Sequence, residues 1–292
     1  MAVSWPGVRG KRVLITGATG GIGLAAAAAL AARGARVAIV ARNAERAQNA
    51  VSQIAAAGGP GTEVDVLTAD LSSLAQVRRL ADEALARYER IDVLANNAGA
   101  FYTTRQLSPD GFELTWALNH LAPFLLTTLL RERLQASAPA RVITTSSAAH
   151  RGASIPWDDP RAEGRYRGFQ RYGQSKFANI LFTAELARRL EGTGVTANCF
   201  HPGLVATGFA KNNGGLAAAA MSLSAFMAKR PDQGADTLVW LADAPEAGGF
   251  TGQYFVDRRP AATHPRADPA AARRLWEESE AAVGPWARGP AA

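Results

Sequence analysis

Cysteine, lysine and clustered histidine are all scarce in this chain. A lone cysteine, Cys199, in 292 residues excludes an intramolecular disulfide framework and a cysteine-built zinc site, and it fits a reducing compartment. The four histidines, His120, His150, His201 and His264, form neither an HExxH nor an HxH pair, so no metal is expected. No apolar run of about eighteen residues is present to span a bilayer. Met1 to Lys11 lacks the apolar stretch and cleavage site of a signal peptide. A cytoplasmic protein without membrane association is therefore expected. The 32 basic and 25 acidic residues leave a net charge of +7, which raises the question of nucleic acid. The basic residues are scattered and never run longer than a pair such as Arg188-Arg189, whereas a nucleic-acid surface clusters them on one element. Nucleic-acid binding is not expected.

What remains is an ordinary globular composition, 48% hydrophobic and 20% charged, long enough for one large core. Short β-branched runs alternate with helical ones. Strands are expected at Arg12–Thr16, Arg36–Val40, Val64–Ala69, Asp92–Ala95, Arg141–Thr145, Thr196–Phe200 and Gln253–Val256. Helices are expected at Gly21–Arg33, Ala44–Ala57, from the N-cap Ser72 to Arg90, Pro109–Gln135 and Gln170–Leu190. This alternation predicts βαβ units, and the near-continuous apolar strands predict a sheet covered on both faces. The expected fold is α/β: a single doubly wound, Rossmann-type domain over 1–292, with a central parallel sheet and helices on both faces. Its core is expected over about 10–257, with 258–292 as a C-terminal extension.

Directly after the first strand comes Thr16-Gly-Ala-Thr-Gly-Gly-Ile-Gly23, which opens into a helix. Strand, glycine turn and helix in that order make a phosphate site, because glycines admit the phosphate to the backbone and the helix N-terminus offers N–H donors. Gly17, Thr19, Gly20, Gly21, Ile22 and Gly23 are the candidate contacts. The glycine spacing reads either as TGxxxGxG or as TGxxGxxG. At the end of the second strand an NAD-binding fold places an acid for the ribose 2′-OH. Here Ala41 removes the acid and Arg42 offers a guanidinium suited to a 2′-phosphate. NADP(H) is expected over NAD(H), against the plainer reading of Arg42 as a solvent-facing strand end.

Tyr172 and Lys176 stand at i and i+4 on one helix face. Tyrosine is a poor base at neutral pH, and a neighbouring lysine cation lowers its pKa enough for proton transfer. YxxxK alone is common on helix surfaces. It is supported here by strand ends gathered at one rim: Asn96-Asn97-Ala98-Gly99, Ser146-Ser147 and His201-Pro202-Gly203-Leu204-Val205. Asn119 precedes Pro123 by four residues, so its carbonyl loses the helical partner and is free to hold a water on a proton path to Lys176. The plainer alternative is a proline kink with a packed asparagine.

Thr16-Gly17, Gly21, Gly23, Asp70-Leu71, Asn96-Asn97-Ala98-Gly99, Asn119, Ser147, Tyr172 with Lys176, and Pro202-Gly203 follow in one order at compatible spacing. The set resembles the short-chain dehydrogenase/reductase superfamily over roughly residues 10–257, and the Asn-Asn-Ala-Gly run favours its shorter branch. Twenty-five positions separate Ser147 from Tyr172, an insertion that, with Gly252-Gln-Tyr-Phe255, looks like the retinol dehydrogenase and WW-domain oxidoreductase group. The resemblance implies Tyr172 as general acid/base and Ser147, rather than Ser146, on the substrate oxygen. It implies Lys176 on the nicotinamide ribose and Asn119 on a relay water. It also implies cofactor contacts at Asp70, Leu71, Asn97, Ala98, Gly99, Tyr172, Lys176, Pro202, Gly203, Val205 and Thr207. Asp70 has a rival reading as a polar strand end beside the Ser72 cap. The function expected is NADP(H)-dependent interconversion of a hydrophobic ketone or aldehyde and its alcohol. A catalytically silent NADP(H)-binding regulator and a sugar-nucleotide epimerase are the alternatives.

A lid is expected from Leu204 to Pro231, with a hinge at Gly208 and Asn212–Gly215 followed by the apolar stretch Leu216–Met227. A second wall is expected from His150–Arg171, where Trp157, Tyr166 and Phe169 line an apolar mouth. A medium-to-large hydrophobic ketone or aldehyde, or its alcohol, is the expected small-molecule substrate, and homo-oligomerisation is compatible with the sequence.

Overall fold

A computed structural model describes residues 5–205, 229–264 and 267–288. Eight strands form one sheet in the order β3-β2-β1-β4-β5-β6-β7-β8. They are β1 (Arg12–Thr16), β2 (Arg36–Ala41), β3 (Val64–Thr68), β4 (Val93–Asn96), β5 (Ala140–Thr145), β6 (Val195–His201), β7 (Tyr254–Val256) and β8 (Arg259–Pro260). All pairings through β7 are parallel, and β8 returns antiparallel beside β7. The winding direction reverses between β1 and β4, so the crevice at their C-terminal ends is where such a sheet binds ligands.

The strand alternation is legible in β1. Val13 and Ile15 bury into one cluster with Leu30, Phe200 and Leu238, while Leu14 buries on the other face with Leu94, Phe124 and Trp276. Helices α1 (Gly21–Ala31), α2 (Ala44–Gly58) and α6 (Pro231–Asp243) pack together on one face. The other face carries α3 (Leu74–Arg87), α4 (Ala122–Ala136), α5 (Gly168–Arg189) and α7 (Pro269–Ala287). No described helix is long and apolar enough to cross a membrane.

Two local departures from the sequence reading have physical causes. Ser73, not Ser72, caps α3 by accepting from the Gln76 N–H, because Ser72 is captured by the Asp70 carboxylate through both its N–H and its hydroxyl, at 2.9 and 2.8 Å. The expected helix Pro109–Gln135 does not start at Pro109 and is not one α-helix. Glu113 caps a turn at Leu114–Trp116, a π-helical turn follows at Ala117–Leu121, and α4 begins only at Ala122. Within that turn the Ala122 N–H reaches back to the Ala117 carbonyl, an i→i+5 bond just before Pro123, which has no N–H to give. The C-terminal extension holds an ordered helix, α7, capped by Asp268. Its Trp276 lies parallel to Phe182 at 5.9 Å and at a steep angle to Phe124 at 4.8 Å. Burying such an aromatic contributes about 1.5–3 kcal/mol, which fastens α7 to α4 and α5.

Candidate active site

The glycine loop is held from below by Asn97, at the end of β4. The Asn97 side-chain amide donates to the Thr16 and Gly17 carbonyls at 3.1 and 3.3 Å, and Thr16 Oγ1 accepts from the backbone N–H groups of Asn97 and Ala98, both at 3.0 Å. The loop leaves no room where it touches β4. A methyl group on Gly23 would stand 2.3 Å from the Gly17 carbonyl oxygen, and one on Gly17 would stand 2.7 Å from the Ala98 backbone. Gly17 also needs its positive φ of 68°. Gly20 is different: nothing lies within 4 Å of where its side chain would begin, so open space adjoins the N-terminus of α1. Thr19, Gly21 and Ile22 are partly exposed around that space. A tight seat below and free room above fit a bound diphosphate.

Arg42 extends β2 at the same rim, exposed and without an ion pair among the described residues. Its charge acts on Tyr102, whose hydroxyl burial nonetheless pushes above the ordinary range. Asp70 spends one carboxylate oxygen on Ser72, so the structural role weighed for it from the sequence is present. Leu71 is buried beside it.

Ser147, Tyr172, Lys176 and Asn119 converge at the ends of β4 and β5. Ser147 follows β5, and its hydroxyl lies close enough to Tyr172 to favour the phenolate. Ser146 faces the other way, donating to the Lys176 carbonyl at 2.8 Å. Lys176 Nζ donates to the Thr145 carbonyl at 3.0 Å and lies 5.7 Å from the centre of the Tyr172 ring. The fully buried Asn119 side chain holds Ala100 by both its N–H and its carbonyl, at 2.8 and 2.9 Å, and donates to Ser175 Oγ at 3.0 Å. Gly99 keeps the centre open, since a methyl there would meet both Asn119 Oδ1 and Lys176 Nζ at 3.2 Å.

The electrostatics differ from the sequence reading. Burial pushes Tyr172 up to about 12, with the Ser147 hydrogen bond pulling the other way, and burial pushes Lys176 down to about 8. In the chain by itself desolvation outweighs any lowering of the phenol by the lysine. Tyr172 is therefore a protonated phenol at neutral pH.

Pro202, Gly203 and Val205 follow β6, and Val205 bridges Lys229 in parallel register. His201 is kept neutral by burial, its pKa down to about 4, and its Nδ1 accepts from the Ala148 N–H at 3.3 Å. Thr207 and the expected lid stretch Leu216–Met227 lie outside the described residues. Of the three aromatics expected at the mouth, Phe169 stands 70% exposed beside Tyr172, with ring centres 6.5 Å apart. Tyr166 is turned inward and donates to the Tyr102 carbonyl and to Glu113, both at 3.1 Å. Trp157 packs against the α4-side core under the Arg274 guanidinium of α7, 4.3 Å from its ring. Phe101, which sequence reasoning missed, takes their place, edge-on to both Phe169 and Tyr172 at 6.4 and 6.1 Å. Its position directly after the Asn-Asn-Ala-Gly-Ala run, at a strand end on the site rim, was the available signal.

Residues 11–215 match the family model for short chain dehydrogenase. The chain is 42% identical over 238 residues to mouse (Mus musculus) retinol dehydrogenase 14, covering 80% of this chain and 71% of that one. It is 45% identical over 284 residues to a Streptomyces protein assigned as a daunorubicin C-13 ketoreductase, covering 97% and 96%. Among solved structures, a Mycobacterium paratuberculosis protein superposes with a TM-score of 0.77 at 33% identity over 97% of both chains. A Burkholderia cenocepacia short chain dehydrogenase in complex with NADP gives 0.67 at 30% identity, over 85% of this chain and 96% of that one.

Proposed function

The chain belongs to the short-chain dehydrogenase family of oxidoreductases, and on that premise we propose that it reduces a hydrophobic ketone or aldehyde to the alcohol with NADPH. The observation that carries this reading is the meeting of Ser147, Tyr172 and Lys176 at the ligand-binding edge of the sheet. A bound nicotinamide would exchange hydride with the carbonyl carbon. The glycine loop and the N-terminus of α1 would hold the diphosphate, and Arg42 would hold the 2′-phosphate. A solved relative carrying NADP and an exposed arginine where an NAD site needs an acid support the phosphorylated cofactor.

Ser147 orients the substrate oxygen toward Tyr172 Oη. Tyr172, protonated at neutral pH, gives its proton to that oxygen as negative charge builds there. Lys176, fixed by the Thr145 carbonyl, stabilises the phenolate left behind and holds the cofactor ribose. Asn119, locked to Ala100 and Ser175, keeps the π turn and α5 in register for the proton path.

An apolar substrate is supported by the Phe101–Phe169–Tyr172 cluster at the mouth, and by the retinol and daunorubicin named for two relatives. Screening NADPH oxidation against ketones and aldehydes of graded size tests the reading. Turnover rising with apolar size is expected, and NADPH binding without turnover across the panel would overturn it.

A further inference from the structure

Glu113 and Arg171 form an ion pair of 2.9 Å between Oε2 and Nε in which both side chains are all but removed from water, at 0% and 2% exposure. Each spends its remaining polar atoms on a different part of the site. Glu113 accepts from the Thr115 and Trp116 N–H groups at 3.0 and 2.9 Å, which starts the turn leading into the Asn119 segment, and from the Tyr166 hydroxyl at 3.1 Å. Arg171 directly precedes Tyr172 on α5. It donates from Nη2 to the Pro160 carbonyl in the insertion, and its guanidinium lies 4.4 Å from the Trp116 ring. Three segments thus meet at one buried pair: the start of the Asn119 turn, the first turns of the Tyr172 helix, and the 150–167 insertion.

A buried pair of this kind contributes little net stability, since an apolar pair of equal volume often does as well, while removal of one partner strands a charge. What the pair adds is direction. An apolar contact slides at little cost, whereas a guanidinium and a carboxylate with three further acceptor bonds fix one register. We infer that Glu113 and Arg171 are positioning residues that set Tyr172 against Asn119 and hold the insertion wall in place beside the mouth. The inference rests on Tyr172 acting as the acid, and it extends that reading to a pair that touches neither substrate nor cofactor.

Two variants test it, read by melting temperature, NADPH binding, kcat, KM and the pH profile of kcat. The double variant Glu113→Gln/Arg171→Met leaves no stranded charge. It is expected to fold and to bind NADPH as the wild type does, with kcat lower by about ten- to a hundredfold from misplacement and a displaced pH profile. Arg171→Lys keeps the charge and loses the fork. It is expected to lower kcat less, again with NADPH binding intact, and it carries the test if the double variant does not fold. Wild-type kcat and pH profile in a folded variant would overturn the inference, and so would a fall in NADPH affinity matching the fall in kcat, which marks a general structural role. Tyr172→Phe in the same assay separates the two readings. If that variant stays active, the acid assignment fails; if it is inactive while the pair variants behave as wild type, the positioning inference alone fails.

Discussion

Asn119 Nδ2 donates to Ser175 Oγ at 3.0 Å, and Ser175 Oγ donates onward to the Tyr172 carbonyl at 2.7 Å. The Ser175 hydroxyl, buried and carrying no charge, therefore links the π turn to the tyrosine helix. Ser175→Ala removes the link without stranding an ion. We expect stability to fall by about 1 kcal/mol, the net worth of one hydrogen bond. We expect kcat to fall by about tenfold, because a small displacement of a proton donor is costly. Urea unfolding and steady-state kinetics on the same preparation check both.

Gly20 and Gly23 separate what the loop needs for folding from what it needs for binding. Gly23→Ala drives a methyl to 2.3 Å from the Gly17 carbonyl oxygen, which cannot yield without moving the loop, so both melting temperature and NADPH affinity should drop. Gly20→Ala meets no atom within 4 Å, at an extended φ of 178°. The chain should melt as the wild type does, yet NADPH should bind less tightly because the methyl fills the space left for phosphate. Thermal melts with fluorescence titration read the contrast.

Arg42→Ala should weaken NADPH binding by about 1.5–3 kcal/mol, the range for a hydrogen bond to a charged group, and leave NADH binding nearly unchanged. Equal losses for the two cofactors would show that Arg42 does not recognise the 2′-phosphate.

His120 gives the fold an acid sensitivity. It is fully buried between the Trp116 and Phe124 rings, bonded to Ser279 of α7 at 2.7 Å, and burial pushes its pKa down to about 3. The unfolded chain takes up this proton near the ordinary histidine value and the folded chain does not. Stability from this group is thus present above about pH 6.5 and is lost as the pH falls toward the folded value. Between pH 7 and 5 the wild type should lose about 2 kcal/mol more than His120→Gln. Urea unfolding at the two pH values measures it.

Much of this was legible in the sequence because it depends on local chemistry. The near-continuous apolar runs of the first strands announce a sheet buried on both faces, and the glycines after Thr16 announce a tight turn from strand to helix. After β5 the two serines face opposite ways, Ser147 toward Tyr172 and Ser146 toward the Lys176 carbonyl. What was not legible depends on distant partners. Glu113 reads as an ordinary acid within the expected helix 109–135 until Arg171, 58 positions away, is packed against it. Tyr166 reads as a mouth aromatic until its hydroxyl finds Glu113. The pattern of α7, with Ala272, Leu275, Trp276, Ser279 and Val283 inward, was present but lay behind a proline- and alanine-rich stretch that masks it. The upward shift of the Tyr172 phenol is not legible, because its neighbouring lysine is visible in the sequence and the burial of both is not.

In the function proposed, Tyr172 delivers the proton that completes reduction of an apolar carbonyl. The most direct measurement compares NADPH oxidation by the wild type and by Tyr172→Phe on the best ketone or aldehyde from the graded panel, with NADPH affinity measured alongside. A loss of turnover of about two to four orders of magnitude, the range for general acid catalysis, is expected, with NADPH affinity kept. Turnover within a few-fold of wild type in Tyr172→Phe would contradict it.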